Sequence, residues 1–241
     1  MLRILFTVVQ ILVSVCLLQG QNVRGGFGHG YFGPVLNVFQ NLQNDLRTPS
    51  SLGKKLETTR LETLGGGGGY GLFSNGVLLG GSGMGYTVTD ATERGQVNLA
   101  MGAAYLNVGY LVTKKRNVLG FPYIGVGGYE MKLRVKNSAE GESFAVGDQD
   151  VPFDEYLYLH NQGMTFEAGY SLQILTFSLP DNGSKGGLIV GLQAGTYLFV
   201  STEDWHNEST DDVLLSFSDP FGFAPYVRLT IGGGGFKAVS D

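Results

Sequence analysis

Between Tyr129 and Val135 the chain alternates without a break. Tyr129, Met131, Leu133 and Val135 take one parity, and Glu130, Lys132 and Arg134 the other. A period of two marks a strand with one apolar and one polar face. The pattern recurs further on. Met164, Phe166, Ala168, Tyr170, Leu172 and Ile174 stand against Thr165, Glu167, Gly169, Ser171 and Gln173. Leu188, Val190, Leu192, Ala194, Leu198 and Val200 stand opposite Gln193, and Val227, Leu229 and Ile231 oppose Tyr226, Arg228 and Thr230. In all, eight strands are predicted, at about 29–39, 63–73, 77–88, 96–112, 121–135, 163–177, 187–200 and 223–236. The fourth changes phase: Val97, Leu99, Met101, Ala103 and Tyr105 share one parity, Leu106, Val108, Tyr110 and Val112 the other. A β-bulge near Tyr105 reconciles the halves.

The connections alternate in length. Ser74-Asn75-Gly76, Lys114-Lys115-Arg116 and Pro180-Asp181-Asn182-Gly183 are tight turns after the second, fourth and sixth strands. Long polar segments follow the first, fifth and seventh, and the third is followed by a short polar link, 89–95. The first long segment, 40–62, contains LQNDL and LGKKLE, two pieces of helical character. An even number of strands with short turns at one end and longer loops at the other is the pattern of a transmembrane barrel with both termini in the periplasm.

Composition narrows the classes further. The 241 residues are 43% hydrophobic and only 15% charged, with 39 glycines, which suits neither an ordinary α/β enzyme nor a disordered chain. Tyr and Phe dominate the aromatic residues and belong in strands or at membrane interfaces. A net charge of −5 without a basic stripe excludes a nucleic-acid footprint. Residues 1–20 read as a signal peptide, with Arg3 ahead of the apolar run Ile4 to Leu18 and Gly20 before Gln21. That run is shorter than the roughly 20 residues a membrane helix needs. The only cysteine, Cys16, lies inside it, so residues 21–241 have no disulfide, thiolate nucleophile or cysteine metal site. A chain of this kind enters a bilayer only as a closed barrel, in which every backbone polar group has an internal partner.

With EMKLRV, MTFEAGYSLQI, GLIVGLQAGTYLFV and Phe236 near the end, residues 25–236 resemble the small outer-membrane barrels of the OmpA/OmpX type. The resemblance is one of architecture. It implies an all-β, antiparallel transmembrane β-barrel of eight strands, in the bacterial outer membrane, with outer-membrane lipid as its partner. Such proteins end their last strand on an aromatic used in assembly; here five residues follow Phe236.

If the apolar parity faces lipid, the opposite parity fills the lumen. It collects Glu130, Lys132, Arg134, Glu167, Gln173, Gln193 and Arg228. In so narrow a barrel, side chains can fill the interior. These seven are expected to form a compensated network that plugs it. The two long loops hold Glu140, Glu142, Asp148, Asp150, Asp154 and Glu155, then Glu203, Asp204, Glu208, Asp211, Asp212 and Asp219, a candidate surface for a partner or Ca²⁺. His29, His160 and His206 share no metal-ligand spacing, and Gly65 to Gly69 lacks the Lys-Ser/Thr of a phosphate loop. His206 with Ser209 and Asp204 or Glu203 has residue types fit for catalysis but no motif. No catalytic residue, metal or cofactor is assigned. The expected function is a structural or surface-interaction barrel. The alternatives are a narrow channel for small solutes, a lipid-modifying enzyme and a secreted soluble β-sandwich.

Overall fold

The computed structural model describes residues 23–36, 61–92, 95–115, 117–138, 140, 144–146, 149–176, 179–181, 184–208, 210, 213–214 and 222–238. The signal peptide lies outside them, and so does the polar segment 40–62 with its two pieces of helical character, apart from residues 61 and 62. Eight long strands carry the fold: β1 (Val23–Leu36), β2 (Leu61–Leu72), β3 (Val77–Thr92), β4 (Gly95–Tyr110), β5 (Val118–Asn137), β6 (Tyr156–Leu175), β7 (Ser184–Ser201) and β8 (Gly222–Ala238). Each pairs antiparallel with the next, and β8 pairs with β1, so the sheet closes.

The pairing fixes the barrel's geometry. Stepping from partner to partner, Gly25 leads through Leu72, Leu78, Gly109, Tyr123, Gly169, Gly195 and Tyr226 back to β1 at Val35. One circuit thus climbs ten residues, from 25 to 35, which tilts the strands by roughly 40°. The turn after β2 matches its sequence. Gly76 has φ +84°, its N–H donates to the Phe73 carbonyl at 2.9 Å, and Asn75 Oδ1 accepts from the Val77 N–H at 3.2 Å. It is a three-residue loop with glycine in the left-handed position.

Two expectations are corrected. Residues 95–109 pair one for one with both neighbours, so there is no bulge at Tyr105. Along β4 the odd residues Val97, Met101, Ala103, Tyr105 and Asn107 point inward, and Leu106 and Val108 point outward. The strand keeps its phase; what changes is which face is apolar. The same happens on β5. Ile124 and Val126 face outward, and so do Glu130, Lys132 and Arg134, while Phe121, Tyr123, Tyr129, Met131, Leu133 and Val135 are buried inside. The two switches sit at one level, because Leu106 pairs with Val126 and Ala103 with Tyr129. Below that level the outer wall is apolar, and above it the wall is polar around an apolar interior.

That level is the edge of the membrane. The outward apolar side chains form a belt: Phe32, Leu79, Leu106, Ile124, Phe166, Leu172, Leu192 and Leu229 all lie on the outer wall, as does Val190. Only a lipid surround makes such a belt favourable, which excludes the secreted sandwich. The second correction concerns length. The acidic connection after β5 is shorter than 136–162, because β6 already begins at Tyr156. Here Leu157 and Leu159 point inward and Tyr156 and Tyr158 outward. β5 has 20 residues, which at 3.3 Å rise and this tilt reach roughly 50 Å along the axis, about twice the 25 Å apolar band. The barrel therefore stands out of the bilayer on the side of the long loops.

Leu229, flanked along β8 by Val227 and Ile231, lies well inside the belt. Leu229→Arg should cost about 2–4 kcal/mol in urea unfolding from liposomes. Arg134→Ala, on the same outer wall but above the lipid, should change stability by less than about 1 kcal/mol.

Candidate functional site

Halfway up the membrane-spanning part, the interior changes from apolar to polar. Arg228 on β8 and Glu167 on β6 meet there, Nη2 to Oε1 at 2.9 Å, 1% and 2% exposed. The Arg228 fork is filled on every side. Nε donates to Gln193 Oε1 at 2.7 Å, Nη1 to the Tyr197 hydroxyl, and Nη2 also to Tyr123 Oη at 3.3 Å. Its Cζ lies 3.8 Å from the Tyr31 ring centre and 4.7 Å from that of Tyr226. Glu167 Oε1 accepts, besides Arg228, the Tyr226 hydroxyl at 2.6 Å and the Tyr123 hydroxyl at 3.2 Å. Charge-assisted bonds of this kind are the strong ones, and a low dielectric strengthens them further.

A neutral chain continues the layer. Gln193 Nε2 and Gln173 Nε2 both donate to Ser171 Oγ, at 3.2 and 2.8 Å, and Thr230 Oγ1 donates to Gln173 Oε1 at 2.9 Å. On the opposite wall Asn107 Nδ2 donates to Ser82 Oγ at 2.8 Å. Among the described residues Glu167 Oε2, Asn107 Oδ1 and both ring nitrogens of His29 have no hydrogen-bond partner.

Glycines let the tyrosines lie flat against the wall. Tyr31, Tyr123, Tyr129 and Tyr226 each stand directly across from a glycine, Gly66, Gly169, Gly163 and Gly195. A Cβ at Gly195 would come within 2.6 Å of the Tyr226 hydroxyl, and one at Gly169 within 2.9 Å of the Tyr123 hydroxyl. Small residues on one strand thus make room for rings on the next. Tyr123 and Tyr226 deliver their hydroxyls to the ion pair, Tyr31 lays its ring on Arg228 and donates its hydroxyl to the Gly83 carbonyl, and Tyr129 donates to Asn161 Oδ1.

Above and below, the lumen is apolar. Phe27, Tyr70, Leu72, Leu78, Phe121 and Ile189 fill the end near the termini. Met84, Met101, Met131, Leu133, Phe199 and Trp205 are among those that fill the protruding end. Of the seven residues expected in the lumen, four are there: Glu167, Gln173, Gln193 and Arg228. Glu130, Lys132 and Arg134 are on the outer wall above the lipid, so their expected place in the lumen is corrected. Side chains of Glu130 and Lys132 are 55% and 58% exposed, joined at 3.1 Å. The hydrogen bond to Glu130 raises the Lys132 pKa above its ordinary value. Arg134 lies over the rings of Tyr156 and Tyr158, 4.1 and 5.4 Å from their centres.

The fold and its belt decide the setting. The protein is an outer-membrane β-barrel. No family model and no curated protein sequence matches the chain. Solved structures of similar architecture include Ail, the attachment invasion locus protein of Yersinia pestis, at 10% identity, covering 90% of this chain and 99% of that one with a TM-score of 0.41. The N-terminal barrel domain of Pseudomonas aeruginosa OprF is 14% identical, with coverage of 90% and 99% and a TM-score of 0.33. Neisserial surface protein A is 7% identical, with coverage of 90% and 97% and a TM-score of 0.37.

At the barrel's protruding end, the short strand Trp205–Asn207 pairs with β6, placing His206 directly opposite His160. Glu203, Asn207 and Glu208 line the cleft beside them. Ser209, the third member of the catalytic grouping considered above, lies outside the described residues, as do Glu142, Asp148, Asp211, Asp212 and Asp219 of the acidic loops. Among the described residues no group of three or more His, Cys, Asp and Glu is arranged to hold a metal ion.

Arg228→Ala should destabilise the barrel by about 3–5 kcal/mol, because Glu167 is left charged and buried. Arg228→Met with Glu167→Leu should recover most of that loss. Gly195→Ala should cost about 1–3 kcal/mol, because its Cβ meets both the Ala168 carbonyl and the Tyr226 hydroxyl and forces them aside. Urea titrations in liposomes, read by Trp205 fluorescence, check all three.

Proposed function

We propose that the protein is a structural and surface-interaction barrel of the outer membrane whose lumen is sealed. The observation that supports the seal most is the Arg228–Glu167 pair, locked among Tyr31, Tyr123, Tyr197, Tyr226 and Gln193, with apolar side chains filling the barrel on both sides. An ion crossing such a layer would have to leave water and break charge-assisted bonds at once. The plug is therefore one ion pair in an aromatic sleeve, rather than the larger charge cluster its sequence suggested.

The interaction surface is the wall that stands above the lipid. Glu130, Lys132, Arg134 and Lys136 on β5 lie beside Tyr156, Tyr158 and His160 on β6, with Glu208 and Asp154 joining from the loops. The ion pairs Lys132–Glu208 at 3.8 Å and Lys136–Asp154 at 2.9 Å tie loop residues to this wall. Fixed charges on a rigid strand pair with exposed tyrosines between them form a surface suited to a macromolecular partner. Neither role needs a catalytic residue, metal or cofactor.

Purified protein in a planar bilayer should show no steady conductance. Arg228→Ala should leak, while Glu130→Gln and Lys132→Gln should stay silent, since both residues lie outside the lumen. Steady ion passage by the unaltered protein would overturn the seal and put the narrow channel in its place.

A further inference from the structure

At the end of the barrel near the termini, β1 and β8 bring two cations face to face. Arg24 pairs directly with Lys237 across the closing seam. Both are exposed, and among the residues whose side chains are described neither has a carboxylate within ion-pair distance. Like charges opposite one another on paired strands repel, and the arrangement is unfavourable unless an anion lies between them. Both also have outward parity: Arg24 shares that of Phe32, and Lys237 that of Ile231. They therefore stand on the outer wall at the foot of the lipid-facing belt, at the depth of the periplasmic leaflet's headgroups.

A cleft of about 650 Å³ opens beside them. Arg24 and Lys237 form its charged edge, Phe73 and Phe236 its aromatic walls, and Ser74 adds a hydroxyl. Gly25 and Gly235 leave the floor bare, and a Cβ at Gly25 would run into the backbone of Gly235. Phe73, half exposed, carries the lipid-facing surface down to the cleft. The occupant that suits this arrangement has an anionic head with acceptor oxygens for an arginine fork and a lysine, joined to an apolar body that continues along the belt.

We propose that the Arg24–Lys237 cleft binds the phosphate of a phospholipid in the periplasmic leaflet of the outer membrane. The phosphodiester lies between the two side chains and its acyl chains run up the wall past Phe73. The site lies at the rim of the barrel, where Leu72 and Phe236 of the lower apolar cluster also line the cleft, and it does not involve the Arg228–Glu167 pair.

Native mass spectrometry of the purified barrel, released from an uncharged detergent with added phosphatidylglycerol, tests the proposal. The unaltered protein should retain one phosphatidylglycerol, whereas dioleoylglycerol, which lacks the phosphate, and glycerol 3-phosphate, which lacks the chains, should bind at least about tenfold more weakly. Arg24→Gln with Lys237→Gln should lower retention about tenfold or more, and Arg134→Gln, at the far end of the outer wall, should leave it unchanged. Thermal unfolding separates binding from a merely structural role. Lys237→Gln should be as stable as the unaltered protein or more so in lipid-free detergent, because the repulsion is relieved, and should gain less on adding phosphatidylglycerol. Equal lipid retention by the double variant would overturn the proposal. Glycerol 3-phosphate binding as tightly as the lipid would do the same, reducing the site to one for an adventitious ion only. A third contrary result is Lys237→Gln losing stability in lipid-free detergent with its lipid retention intact.

Discussion

Eight strands closed with a ten-residue stagger leave an interior only as wide as the side chains that line it, and at its centre that interior holds one ion pair. Arg228 and Glu167 cannot reach water, so the surrounding fold has to satisfy them. It does so for Arg228 and for Glu167 Oε1 with Gln193 and the hydroxyls of Tyr123, Tyr197 and Tyr226, the first and last of these rings lying over glycines. The glycine-rich sequence and the aromatic content are two sides of one requirement: Tyr31, Tyr123 and Tyr226 reach the pair because the residue opposite each has no side chain. The pair also guards the register. A slip of β8 by one residue would turn Arg228 into lipid, and the same slip of β6 would turn Glu167 outward. An arginine near the middle of the lipid face costs about 2–4 kcal/mol, so misaligned closures are disfavoured before packing is considered.

The membrane imposes the second constraint, and it acts on the same strands. Along β5 one parity runs from Ile124 and Val126 to Glu130, Lys132 and Arg134. Nothing in the backbone changes between them. The surroundings change, from hydrocarbon to water, and the preferred outer residue changes with them. Inside, the rule runs the other way: the polar layer lies within the membrane span, and the protruding part has a dry core of methionine, leucine and aromatic residues. The protein is thus a lipid-facing barrel continued upward as one with a water-facing wall. The upper part holds Lys132, Arg134 and Tyr158 in fixed positions on a rigid strand pair.

The architecture was legible in the residues. Alternation, the Asn75-Gly76 turn and the run of short and long connections lead to eight antiparallel strands, and the parities of β6, β7 and β8 place Glu167, Gln173, Gln193 and Arg228 on the lumen side. The error lay in reading every apolar face as a lipid face. That holds for Met164 to Ile174, which lies within the belt, and fails for Tyr129 to Val135, which lies above it. The switch was visible on β4 as the change of phase at Tyr105 and Leu106, but a bulge also accounts for such a change when one strand is read alone. Only the register, which sets Leu106 beside Val126, shows that both strands change at one level. The tyrosine sleeve was harder to find. Its members are far apart in the chain, and the glycines directly across the sheet from Tyr31, Tyr123 and Tyr226 appear only once the strands are paired.

The central claim is that the outward parity of β5 leaves the lipid between Val126 and Glu130, with the opposite parity sealed inside. The chain's only cysteine, Cys16, lies in the predicted signal peptide, so single cysteines can be introduced cleanly and spin-labelled. In liposomes, a label at Ile124→Cys should be relaxed by oxygen, which concentrates in hydrocarbon. One at Lys132→Cys should be relaxed by a water-soluble nickel chelate, and one at Leu133→Cys by neither. If Leu133→Cys instead meets oxygen while Lys132→Cys is shielded from both reagents, the charged face points into the lumen and the account is wrong.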